Sequence, residues 1–102
     1  MKSQLKIDVP IAKIKDFCLR WRITEFSLFG SVLSDDFRPD SDVDVMVSFE
    51  EAAGWSLFDI VDMEDELKSI FGRDVDLVEK GAIRNPFRRH SIMNNREILH
   101  AA

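Results

Sequence analysis

The sequence predicts an α/β domain in which helices pack on a small sheet. Three observations predict it. Apolar residues recur at helical spacing both near the start and in the middle of the chain. A strict period-2 run of valines lies between those two segments. Gly and Pro residues fall at the joints, so the order reads helix, strand, short helix, strand, long helix, strand, helix.

Ile11, Ile14, Phe17, Cys18 and Trp21 carry the first helical stripe, which predicts a helix over Pro10–Arg22. Pro10 suits its first turn, and Asp8 is a candidate cap. Glu25–Phe29 is short and increasingly apolar, stops at Gly30, and reads as the first strand. Ser31–Ser41 begins as a helical turn and ends as a loop, because Pro39 and the Asp-rich stretch break regular structure. Val43, Val45, Val47 and Phe49 alternate with Asp42, Asp44 and Met46, which makes a second strand. Gly54 closes the loop that follows.

Ser56 with Asp59 three residues on predicts a capping box. Leu57, Ile60, Val61, Leu67, Ile70 and Phe71 then mark the buried stripe of a long helix that Gly72 stops. Its acidic residues Asp59, Asp62, Glu64, Asp65 and Glu66 read as a solvated face. Asp74–Val78 is a third strand. Asn85-Pro86 opens a helix to about Asn94, and Glu97–His100 adds a last short strand.

At 102 residues the chain is expected to form one domain, residues 1–102, with a single core. Apolar residues make up 45% and charged ones 32%, a globular rather than a disordered composition. No apolar run approaches the ~18 residues of a membrane span, and Met1–Lys6 lacks the apolar core of a signal peptide. A cytoplasmic location and no membrane partner are therefore expected. Cys18 is the single cysteine, which excludes an internal disulfide, and its place on a helical apolar face makes it a core residue.

Charge is unevenly spread. From residue 80 onward Lys80, Arg84, Arg88, Arg89 and Arg96 face Glu97 alone, a net +4. With −5 for the whole chain, the first 79 residues carry −9. Such an acidic body argues against direct binding to a nucleic-acid backbone and suits cations or a basic partner.

The chemistry concentrates in two elements. Gly30-Ser31 can offer backbone N–H groups and a hydroxyl to a phosphate. Ten residues later, Asp42 and Asp44 project from one face of a strand, where paired carboxylates can hold two divalent cations for an in-line phosphoryl displacement. Asp76 recurs in the same way, opposite Val75 and Leu77, and stands beside them if the third strand pairs with the second. Asp packs poorly in strands, so three such placements call for a reason. Close carboxylates raise one another's pKa unless cations neutralise them, and oxygen ligands select Mg²⁺ or Mn²⁺ over zinc.

On this reading Asp42 and Asp44 hold two Mg²⁺ ions on the nucleotide phosphates. Asp76 helps hold one ion and assists deprotonation of the acceptor hydroxyl. Gly30 lets the backbone approach the β- and γ-phosphates, and Ser31 hydrogen-bonds one of them. Ser41 either adds a phosphate hydrogen bond or caps its loop.

Two plainer readings compete. Asp40–Asp44 with Glu51 mimics part of a calcium loop, but Val45 stands where that loop requires Gly. Asp42 and Asp44 could also line a merely solvated strand face, and the Gly-Ser element and Asp76 weigh against that. His90 and His100 match no ligand spacing and read as surface residues.

Residues 29–47, with Gly30-Ser31 and Asp42-Val43-Asp44, together with Gly72–Val78 and its Asp76, resemble the nucleotidyltransferase superfamily typified by DNA polymerase β, in its minimal form. The resemblance extends over nearly all of the chain from Trp21. It implies a small mixed β-sheet with helices packed against it, and Mg²⁺-dependent transfer of a nucleoside monophosphate from a triphosphate such as ATP. Minimal nucleotidyltransferases are commonly antitoxins whose partner is an all-helical HEPN-domain ribonuclease toxin, AMP being placed on a tyrosine of that toxin in an oligomeric complex.

This chain contains no Tyr, so tyrosine modification could occur only in trans. Arg84–Arg89, with Phe87 among its arginines, is a candidate docking surface. Family members often carry Arg just after Gly-Ser, whereas Val32-Leu33-Ser34-Asp35-Asp36 follow here, leaving Arg38 as the candidate to bind phosphate. The acidic residues after Ser31 favour a different class of function, a non-catalytic antitoxin that inhibits by binding alone. An aminoglycoside-type small-molecule nucleotidyltransferase is disfavoured, because no substrate-binding domain accompanies the motif.

Overall fold

The structure, a computed structural model, describes residues 7–101 except 35, 36 and 39. The expectations resting on Asp35, Asp36 and Pro39 therefore lie outside the described residues. The elements are α1 (Ile11–Arg20), β1 (Ile23–Phe29), a 3-10 turn at Gly30–Leu33, β2 (Val43–Phe49), α2 (Leu57–Phe71), β3 (Val75–Glu79), a second 3-10 turn at Lys80–Ala82, α3 (Pro86–Asn94) and β4 (Arg96–Ala101).

The strands form one mixed sheet in the order β3-β2-β1-β4. β1 runs antiparallel to β2 and β4, while β2 and β3 are parallel and joined across α2. That parallel pair needs a crossover, and α2 supplies it.

Strand alternation sorts the core onto the two faces. Phe26 and Leu28 of β1, Val43, Val45 and Val47 of β2 and Val75 of β3 join Ile14, Phe17 and Cys18 of α1 and Met63 and Leu67 of α2. On the opposite face Phe29 and Met46 lie under Ile83 and Ile92, the latter on α3. Burial pushes the Cys18 thiol up to about 12, so it stays protonated and acts as a small apolar core group.

Several expected boundaries move for local reasons. α1 ends at Arg20, short of Arg22, because Arg22 takes a positive φ of 55° and turns the chain into β1. The Arg22 carbonyl then accepts from the Glu50 N–H at 2.8 Å. The residue capping α1 is Pro10 rather than Asp8, with no side-chain hydrogen bond. β1 starts at Ile23, which is buried, two residues before the expected start. β3 is shifted by one, since the Asp74 carbonyl accepts from the Val43 N–H at the mouth of the pair. β4 runs over Arg96–Ala101, longer than Glu97–His100, because it pairs with β1 from Glu25 to Phe29.

α2 begins with the expected capping box, Ser56 Oγ accepting from the Asp59 N–H while Asp59 receives the Ser56 N–H, and ends at Gly72 in the left-handed region. Its buried centre is Met63 and Leu67, whereas Leu57 and Val61 of the expected stripe are exposed. Its acidic residues are not all solvated. Glu64 accepts from the Leu77 N–H of the outermost strand β3 at 3.4 Å, and Glu66 accepts from Trp21 Nε1 at 3.1 Å and pairs with Arg20. No helix among the described residues is long and apolar enough to cross a membrane.

Candidate active site

Strand geometry puts the three carboxylates at one end of the sheet. Asp44 and Asp76 are direct partners in the parallel β2–β3 register, and Asp42 immediately precedes β2. All three point away from the valine face, toward the side that α3 covers. Asp42 and Asp76 are exposed and Asp44 is half-buried. Burial, then the neighbouring charges of Asp76 and Asp42, raise the pKa of Asp44, with Arg88 acting against them.

Gly30 completes the corner from β1. Its φ is +74°, and a Cβ built there would stand 2.3 Å from Asp44 Oδ2. Only glycine leaves that volume free, so the Asp44 carboxylate rests directly over the Gly30 backbone. The sequence suggested that Gly30 makes room for phosphates; the structure shows that it makes room for Asp44. Ser31 follows in the 3-10 turn and is half-buried. Beside this turn lies a cleft of about 540 Å³, walled by Phe29, Gly30 and Leu33 on one side and Ser91, Asn95 and Arg96 on the other.

The remaining expected residues sit differently. Arg38 is exposed, and its N–H donates to Ser41 Oγ at 2.9 Å while its carbonyl accepts from the Ser41 N–H at 3.0 Å. Ser41 thus caps its own turn. Arg73 braces that turn, donating to the carbonyls of Arg38 and Ser41 at 3.2 and 3.3 Å.

Sequence reading missed two features. One is Arg88, which α3 places close enough to act on Asp44. The other lies deeper on this face, where Glu25 pairs with Arg96 and, at 3.4 Å, with Lys80, tying β1 to β4 and to the turn after β3. A charged residue inside the apolar β1 run was the available signal. His90 is a surface residue hydrogen-bonded to Asn94, whereas His100, expected at the surface, is half-buried on β4.

The donor set tests the metal reading. Among the described residues no three His, Cys, Asp or Glu side chains form a ready-made metal cage. Mg²⁺ is seldom held that way, being bound through one or two carboxylates together with substrate phosphates. Carboxylate oxygens whose mutual repulsion raises the Asp44 pKa fit such a shared site.

Comparison with known proteins supplies independent findings. The family model described as nucleotidyltransferase domain matches residues 11–99. MntA of Thermococcus cleftensis, a protein adenylyltransferase, is 35% identical over 71 residues, 70% of each chain. A Methanocaldococcus jannaschii chain, provisionally named a protein adenylyltransferase, is 36% identical over 73 residues, 72% of each. Among solved structures, a toxin–antitoxin complex with AMP-PNP superposes with a TM-score of 0.74 at 19% identity, over 92% of this chain and 75% of that one. An MNT antitoxin bound to tri-AMPylated HEPN toxin of Shewanella oneidensis gives 0.66 at 19% identity, over 90% and 70%. At those identities the structural likeness is one of fold.

Proposed function

The chain belongs to the nucleotidyltransferase domain family, and on that premise we propose that it is a protein adenylyltransferase, moving AMP from ATP to a tyrosine hydroxyl of a partner HEPN toxin and so acting as its antitoxin. The observation that carries this reading is the corner where Asp44, in register with Asp76, rests over Gly30. The named activity of relatives more than one-third identical supports it, as does a fold shared with toxin–antitoxin complexes.

Asp42 and Asp44, with Asp76, would hold Mg²⁺, two ions on this reading, which when bound neutralises the phosphates and polarises the α-phosphorus. The acceptor oxygen attacks that phosphorus, the bond to the β-phosphate oxygen breaks, and pyrophosphate leaves. An Asp76 carboxylate oxygen takes the proton from the acceptor hydroxyl. Its exposed place on β3, the outermost strand, suits a group that must meet a second protein. The Gly30 backbone and the Ser31 hydroxyl seat the triphosphate, while Ser41 and Arg38 hold the loop beside it. The acidic body makes nucleic acid a poor partner, and a chain with one buried thiol suits the cytoplasm.

Incubation with toxin, Mg²⁺ and ATP labelled on the α-phosphate tests this. Label is expected on the toxin, falling at least ~10²-fold with Asp42→Ala, Asp44→Ala or Asp76→Ala. Neutralisation that persists unchanged in the Asp42→Ala and Asp44→Ala variants would replace catalysis by inhibition through binding alone.

A further inference from the structure

The mechanism gathers three carboxylates and a triphosphate at one corner, and the residues just after Gly30-Ser31 bring no cation to it. α3 brings one. Ile92 of α3 is buried against Phe29 and Met46. Arg88 lies one turn earlier on the same side of that helix, and Asp44 lies two residues before Met46 on the same face of β2. The two offsets place the Arg88 guanidinium above the Asp44 corner, where its charge opposes the rise in the Asp44 pKa.

Other cations near this end of the sheet are committed elsewhere. Arg73 donates to the Arg38 and Ser41 carbonyls and lies 4.6 Å over the Phe37 ring. Arg89 donates to the Lys80 carbonyl at 3.0 Å, and Arg96 and Lys80 pair with Glu25. The Arg88 backbone N–H caps on Asn85, while its side chain has no hydrogen-bond partner among the described residues.

We propose that Arg88 is a triphosphate-binding residue, its guanidinium fork gripping non-bridging oxygens of the β- and γ-phosphates and stabilising the departing pyrophosphate. This rests on the nucleotide reading above and assigns to α3 the role for which the sequence offered Arg38. A planar fork matches two phosphate oxygens at once and stays protonated throughout, so it acts by charge and geometry rather than by giving a proton. Glu, Asp or solvent would leave the leaving group's growing charge unopposed on that side.

Calorimetric titration with Mg²⁺ and a β,γ-imido ATP analogue, and separately with AMP, tests the assignment. Arg88→Ala is expected to weaken the analogue about ten- to a hundredfold and to leave AMP within about twofold, because AMP lacks the gripped phosphates. Arg88→Lys should fall between, keeping the charge and losing the fork. The unfolding midpoint without nucleotide should move little, since the side chain is exposed. Unchanged analogue affinity in Arg88→Ala would overturn the proposal, and so would an equal loss for AMP. A wild-type chain that binds neither ligand would overturn the nucleotide reading itself, and Arg88's role with it.

Discussion

Asp44 is the residue on which sequence, fold and chemistry converge. Its raised pKa has burial as the first cause and the charges of Asp76 and Asp42 as the next. A carboxylate shifted upward holds its proton in the folded chain at pH values where the unfolded chain has lost it. Its stabilising contribution is therefore full below the ordinary carboxylate range and is lost as pH rises through the folded value. Asp44→Asn is expected to raise the melting temperature of the free protein by a few degrees near neutral pH. That advantage should vanish near pH ~4, where both forms are neutral. Thermal melts across pH would refute the idea by showing an equal gain at every pH. Mg²⁺ should stabilise the wild type more than the variant, because it neutralises the same repulsion. The Asp residues were legible as a site from their awkward placement in strands. Gly30's contact with Asp44 was not, because it joins two segments that local pattern cannot bring together.

Among the elements, α2 does most to hold the corner in shape. It is the crossover that makes β2 and β3 parallel and so brings Asp76 beside Asp44. Its start is set by the Ser56–Asp59 box and its stop by Gly72, both readable from residue type alone. Ser56→Ala removes one half of that box and is expected to cost about 1 kcal/mol, measured as a lower denaturant midpoint with an unchanged slope. A change in slope instead would mean that the cap shapes more than the helix end. The buried stripe was read less well. Leu57 and Val61 fit the helical period but lie beyond the edge of the sheet, so nothing covers them, and Met63 fills the core instead. Periodicity says which residues share a helix side; the reach of the opposing layer decides which of them are buried.

At the scale of the molecule the charge division becomes a division of labour. The acidic body carries the carboxylate corner, and the basic final segment folds back as α3 over that same face. α3 also presents Phe87, 86% exposed and flanked by arginines. Large exposed aromatics beside Arg are common anchors of protein interfaces. Phe87→Ala is expected to weaken the toxin complex about tenfold or more, read by calorimetry without nucleotide, and to leave nucleotide affinity intact. Unchanged affinity for the toxin would move the docking surface elsewhere, for which Leu57 and Phe58, exposed at the start of α2, are the next place to test.

The sequence by itself determined which side chains share a strand face, where the helices start and stop, and that three carboxylates needed a partner charge. Those are consequences of backbone period and capping chemistry, which act over a few residues. Tertiary structure alone decided that Asp76 pairs with Asp44, that Gly30 lies beneath that carboxylate, and that Arg88 rather than Arg38 faces it. Each of these joins residues far apart in the chain, and register between such segments is set by how the layers pack rather than by local pattern.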